Sequence, residues 1–332
     1  MKKIITIPFA LTTALVLFLA GCQKMEDFHE KYIKDGEIIY TTKMDSVITY
    51  AGYQRVQLKG ILKDAFGVTQ IIVYWNEGQD SLIQPYTREN DVDTVEILVE
   101  NLEEQSYMFD IYTSDDKGHR SIKVQAFATA YGERFQSALY PRTVKTYYIH
   151  DADTLGMRFL PAEELELHSE VSYTDTTEQE VVLNIGTKKS IELLPAFKEG
   201  IQIRTWFLPE KTAIDSFPSD WKMTEVAIYH STGAFNHPLS GVRNFEMDKA
   251  VVRIDDRTLE TDYADMGQYG YRMKLRVQPD NTVIVLPAGE TPANLEPDGE
   301  NTWNPDTKTF NLATKYEATL GYRNVIETLV KK

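Results

Sequence analysis

Val95-Glu96-Ile97-Leu98-Val99-Glu100-Asn101-Leu102, followed by Tyr107-Met108-Phe109-Asp110-Ile111, is the stretch that decides the fold. Successive side chains of a strand point to opposite faces, so apolar residues at every second position mark a half-buried strand. Val95, Ile97 and Val99 alternate with Glu96 and Glu100, and Tyr107, Phe109 and Ile111 repeat the period. The same period extends outward. Val56 and Leu58 alternate with Arg55, Gln57 and Lys59; Ile71, Val73 and Trp75 follow, placing Trp75 in the core; Ile122, Val124 and Ala126 come last. Asn76-Glu77-Gly78, Asn90-Asp91 and Asp115-Asp116-Lys117-Gly118 supply turn chemistry between the runs. Short strands at this spacing predict an antiparallel β-sandwich over residues 46–131.

These strands, with Leu102 placed before Tyr107, resemble a fibronectin type III module, though the Leu-to-Tyr spacing is one residue short of the usual pattern. Residues 132–209 read as a second copy. Leu155, Met157 and Phe159 alternate, Val171 and Tyr173 parallel Val73 and Trp75, and Ile191–Leu194 precede a loop at Pro195–Gly200 and then Ile201, Ile203, Thr205 and Phe207. Pro209 and Pro218-Ser219-Asp220 predict a boundary. Residues 220–332 form a third unit. Tyr271, Met273, Leu275 and Val277 alternate with basic residues, a polar loop spans Gly289 to Asp306, and a closing hairpin runs from Phe310 through Gly321 to Leu329. The expected class is all-β: tandem fibronectin type III/immunoglobulin-like sandwiches plus a C-terminal β domain. Helix is expected only over Ala162–Leu167 and Met25–Ile33.

The N-terminus carries an address. Lys2 and Lys3 precede an uncharged run from Ile4 to Ala20, ending Leu19-Ala20-Gly21-Cys22. A charged start, an apolar run and small residues before a cysteine predict a lipoprotein signal over 1–21, with Cys22 acylated and residues 22–45 as a tether. The run is also near the lower length limit of an uncleaved span, but its Leu-Ala-Gly-Cys ending favours lipidation. Two or three acyl chains anchor a protein almost irreversibly. Gln23-Lys24-Met25-Glu26-Asp27 resembles the export signals of surface lipoproteins in polysaccharide-degrading Gram-negative bacteria, implying the exterior face of the outer membrane.

The net charge is −15, and loss of Lys2 and Lys3 would make it −17, which argues against nucleic acid as a partner. Cys22 is the single cysteine, so the mature chain has no disulfide and no thiol nucleophile. The six histidines form no zinc-binding spacing, and His230 and His237 read as a solvated turn near Asp248. His230-Ser231-Thr232-Gly233 lacks the first glycine of a nucleophile elbow. Asp298, Asn301, Asn304 and Asp306 lack the regular spacing of a calcium loop. No catalytic residue, metal or cofactor is expected.

Aromatic residues are the better candidates, because flat rings pack on the C–H faces of sugars while polar neighbours bond the hydroxyls. Trp206 falls on the polar face of its strand with Gln202 and Arg204, free to pack on a neighbouring module or to form a platform. Trp221 and Trp303 lie in loop-like segments, and Tyr269 beside Gly270 is the fourth candidate.

Tyr32-Ile33-Lys34-Asp35-Gly36-Glu37-Ile38-Ile39-Tyr40, Val73–Gly78, Val99–Glu104, Thr205–Pro209 with Ala213–Phe217, and Trp303–Phe310 with Gly321-Tyr322-Arg323 resemble an uncharacterised family of surface lipoproteins. These lie beside the transporter and binding-protein pair of starch-utilisation-type (Sus-like) systems. The resemblance implies non-catalytic capture of a glycan, with the transporter and its binding lipoprotein as partners; it transfers no binding residues. An accessory subunit of the transporter complex and a glycoside hydrolase are the alternatives.

Overall fold

A computed structural model describes residues 39–237, 239–261, 272–288, 294–318 and 321–332. Cys22, the tether up to residue 38 and Tyr269 lie outside the described residues. The chain divides into two compact units. One comprises residues up to Thr49, Gln57–Val99 and Ser106–Ala128; the other comprises Tyr50–Val56, Glu100–Gln105 and Thr129–Lys332.

The first sandwich uses β1 (Asp45–Gly52), β2 (Arg55–Lys63), β3 (Val68–Trp75), β4 (Asp80–Pro85), β5 (Val92–Val99), β6 (Gln105–Asp115) and β7 (Val124–Ala130). One sheet has the order β1-β2-β5 and the other β4-β3-β6-β7. In β5 burial alternates at every residue, with Val95, Ile97 and Val99 inside. Ile71, Val73, Phe109 and Ile111 are fully enclosed. Trp75 departs from its expected core position. It is half-buried at the strand end, its ring 6.3 Å from Phe109, because Asn76 and Glu77 turn the chain there with positive φ. Ile122 also falls outside β7 and is exposed.

After β7 the second unit forms a short helix, Glu133–Ser137, whose first amides are capped by the Glu104 carboxylate. Then come β8 (Val144–Asp151), β9 (Thr154–Phe159), β10 (Glu166–Asp175), β11 (Glu180–Gly186), β12 (Ile191–Leu194), β13 (Phe197–Phe207), β14 (Phe217–Pro218) and β15 (Lys222–His237). Sheets β12-β9-β8 and β11-β10-β13-β15 repeat the connection order of the first sandwich. Leu155, Met157, Val171, Ile201 and Ile203 share its core. Helix expected over Ala162–Leu167 is absent. Glu166 opens β10 instead, its buried carboxylate 3.7 Å from the buried Arg142 guanidinium. The loop expected at Pro195–Gly200 is shorter, since β13 begins at Phe197 and Gly200 (φ 70°) sits at a register shift within it.

No break in the sheet falls at the expected boundary near Pro218. Val226 and Ile228 of β15 complete the second sandwich core. Beyond them, β15 exchanges partners. Its first part pairs with β13 (Ile203↔Lys222 to Glu199↔Ala227), and from Tyr229 it pairs with the last strand of the chain.

That exchange starts the C-terminal domain. Its further strands are β16 (Gly241–Arg253), β17 (Thr258–Thr261), β18 (Met273–Val277), β19 (Val283–Pro287), β20 (Glu296–Pro297), β21 (Thr302–Asn304), β22 (Thr309–Ala318) and β23 (Gly321–Lys331). The order β15-β16-β17-β18-β19 runs one way from β15, and β23-β22-β21 the other. An antiparallel bridge, Thr282↔Thr302, joins the two ends, and Trp303 N–H donates to the Asn281 carbonyl at 2.9 Å. The C-terminal strands are thereby closed into a barrel. Tyr229, Met273, Leu275, Val285, Phe310 and Leu329 fill the interior.

Candidate binding site

Two clusters of rings and polar groups stand out in the second unit. The first follows from alternation in β13. Ile201, Ile203, Thr205 and Phe207 face the core, which leaves Gln202, Arg204 and Trp206 on the outer face. Opposite them on β10 stand Ser172, Glu170 and His168. The His168 and Trp206 rings stack at 5.9 Å and 17°. Arg204 donates from Nε to Glu170 Oε2 at 2.5 Å, and its guanidinium carbon lies 5.4 Å from the Trp206 ring centre and 4.5 Å from that of Trp221. Arg204 therefore joins Trp206 and Trp221, which the sequence placed on a polar strand face and in a loop-like segment. Each such cation–π contact contributes about 0.5–1 kcal/mol at an exposed site. Trp206 is thus stacked within its own sheet, with its Nε1 buried and unpartnered; Trp221 is 41% exposed.

The second cluster is the mouth of the barrel. A cavity of about 380 Å³ opens there, with the half-buried Trp303, Leu259 and Val277 as its apolar wall and the buried Tyr229 and Phe310 behind them. Arg253, Asp256, Arg257, Gln278 and Asn281 supply its polar rim. Trp303 was expected in a long loop. It lies instead on β21, its ring centre 4.2 Å from that of Phe310, because Trp303 and Phe310 are register partners. One face of its indole is therefore spoken for by the barrel.

The rim turns are preset by their own carboxylates. Asp255 Oδ1 accepts the Arg257 and Thr258 amides at 2.9 and 2.8 Å, and the Arg257 amide, with Thr258, holds its carboxyl below the usual range. Asp280 Oδ1 accepts the Thr282 hydroxyl and amide, and Thr282 lowers its pKa likewise. Arg253 donates from Nε to Glu225 Oε2 at 2.5 Å and from its guanidinium to the Asp256 carbonyl at 3.2 Å. Arg257 carries no ion pair among the described residues. The mouth thus offers flat apolar surface beside both donors and acceptors, without a strong excess of either charge.

The other polar candidates are committed elsewhere. Asn301 bonds the Gly299 carbonyl and the Ala313 amide, Asp298 accepts from Asn324, and Asn304 caps the Asp306 and Thr307 amides. His230 lies on a strand, not in a turn, because β15 continues through it to His237; it contacts Asp248 at 3.0 Å and Glu246 at 3.2 Å. Among the described residues, no group of three or more His, Cys, Asp or Glu could hold a metal ion.

Of the four aromatic candidates, Trp206 and Trp221 are brought together, Trp303 lines the barrel mouth, and Tyr269 is outside the described residues. Tyr229, Arg253, Arg257 and Arg204 were not singled out by sequence. Tyr229 left one trace, an aromatic in the same odd-numbered register as Met223, Glu225 and Ala227.

Residues 22–217 match DUF4998, a domain of unknown function, over more than half of the chain. No curated protein matches. Among solved structures, a two-domain fibronectin type III segment from chicken tenascin is similar at 8% identity, covering 54% of this chain and 96% of that one with a TM-score of 0.23. Most of the barrel, including its mouth, lies beyond the matched residues.

Proposed function

The chain belongs to the DUF4998 family, and we propose that it captures oligosaccharide or polysaccharide without cleaving it. In this proposal Cys22 carries the lipid that holds it on the exterior of an outer membrane, where it serves a Sus-like uptake system. The barrel mouth carries the reading. Half-buried Trp303, with Leu259 and Val277, gives a sugar ring an apolar wall, while Arg253, Asp256, Arg257 and Gln278 match its hydroxyls with donors and acceptors. The Leu-Ala-Gly-Cys ending and the Lys24-Met25-Glu26-Asp27 segment support the address.

Calorimetry of the mature chain against a broad glycan panel tests the proposal. At least one glycan should bind, and Arg257→Ala should weaken it about tenfold, the size of a lost charged hydrogen bond. A second reading, an accessory subunit of the transporter complex, draws support from Trp206 being engaged by His168 and Arg204. It predicts no binding to any glycan. Turnover of the panel would instead favour a hydrolase.

A further inference from the structure

We propose that the barrel mouth is one end of a longer track, and that the ligand is an extended, neutral oligosaccharide lying across both the second sandwich and the barrel. This rests on the capture reading and adds the shape and charge of what is captured.

The track follows from β15. Its even residues Val226 and Ile228 face the sandwich core. Its odd residues therefore occupy the outer face of the sandwich at Met223 and Glu225, then turn into the barrel interior at Ala227 and Tyr229. One face of one strand thus joins the sandwich exterior to the barrel interior. Met223 and Tyr229 are six positions apart, about 20 Å at ~3.3 Å per residue, a span of several sugar rings. Gln202 is the register partner of Met223 and shares the outer face with Arg204 and Trp206.

A hollow of about 560 Å³ occupies this stretch, touching Gln202 and Met223 at one end and Tyr229, Arg253 and Leu259 at the other. The last three also line the mouth cavity. The two hollows are therefore adjacent, with Arg253 common to both. Charges of both signs nearly balance along the track: Glu225 pairs with Arg253 at 2.5 Å and Glu199 with Lys331 at 3.5 Å, Glu180 lies beside the hollow, and Asp256 and Arg257 bring opposite signs to the mouth. Paired charges offer hydrogen bonds without a net field, which suits hydroxyl-rich neutral chains over anionic ones.

Length series of gluco-, manno-, xylo- and galacto-oligosaccharides, from disaccharide to octasaccharide, test the track by calorimetry. In the series that binds, affinity should rise at least about tenfold between disaccharide and hexasaccharide. Met223→Ala, at a side chain 65% exposed and so safe for folding, should weaken the hexasaccharide several-fold and leave the disaccharide unchanged. Arg257→Ala should weaken both. Length-independent binding, or a silent Met223→Ala, overturns the track and leaves glycan capture standing. Binding only by acidic polymers such as polygalacturonate likewise overturns the neutral track alone. Binding by no glycan overturns both.

Discussion

Lys249 and Glu327 form an ion pair inside the barrel, each 1% exposed, with the Ser231 hydroxyl donating to the same carboxylate oxygen at 2.5 Å. They stand on β16 and β23, the two neighbours of β15. Removing one partner of a buried pair strands the other charge, at a cost of about 3–5 kcal/mol, whereas replacing both with apolar residues is often neutral. Lys249→Met should therefore lower the unfolding free energy by about that amount in urea titrations, and Lys249→Met/Glu327→Leu should recover most of it. A double variant as weak as the single would contradict this account.

Asp215 grips the chain at Tyr53–Arg55. Its carboxylate accepts the Tyr53 amide at 2.8 Å and the Arg55 Nε and terminal nitrogen at 2.8 and 2.5 Å. The Arg55 hydrogen bond, helped by the Tyr53 amide, holds the Asp215 pKa below its ordinary value. A depressed folded pKa gives stability that is complete above the unfolded value, about 3.9, and lost as pH falls through the folded one. Asp215→Asn should flatten the stability–pH profile below about pH 4, measured by urea unfolding across the acid range.

The alkaline limb has the opposite sign. Tyr147, packed against the second sandwich core, has its pKa pushed up to about 12 by burial. A raised phenol pKa contributes stability present below the unfolded value, about 10, and lost as pH climbs toward 12. Tyr147→Phe should soften this loss in thermal melts between pH 9 and 12. Tyr86, bonded to Asp93 and also raised to about 12, will retain part of it.

Gly233 lies on β15 opposite Phe245. A Cβ there would sit 2.2 Å from the Ile326 carbonyl oxygen and 2.6 Å from the Phe245 ring. The carbonyl is backbone in the adjoining strand and has little room to yield. Gly233→Ala should cost at least the 1–3 kcal/mol of an overpacked core. Limited proteolysis should then show earlier cleavage in residues 220–332 than in residues 46–131.

Acylation is tested at Cys22. Cys22→Ser should move the protein from the membrane to the soluble fraction, since a thioether-linked lipid needs the thiol. A variant that stays membrane-bound would return the Ile4–Ala20 run to a spanning role.

Strand positions were legible where one face is buried and the other wet. The register of β5, the hairpin closing at Gly321 and the repeated order of the second module all follow from a period of two that needs no knowledge of partners. The departures have local causes. The acidic stretch Ala162–Leu167 lacks helix because Glu166 is spent on Arg142, and Trp303 left its expected loop because β22 supplies Phe310 as its pair.

Alternation by itself established that this chain is all-β and where its hydrophobic faces fall, because each strand records its own wet and dry sides. Only the tertiary structure decided that β15 serves two cores in turn, that Thr282 meets Thr302 to close a barrel, and that Tyr229, Arg253 and Trp303 meet at its mouth. Those pairings join residues far apart in the chain. Their energy comes from contacts between strands, and no single strand carries a record of which neighbour it will find.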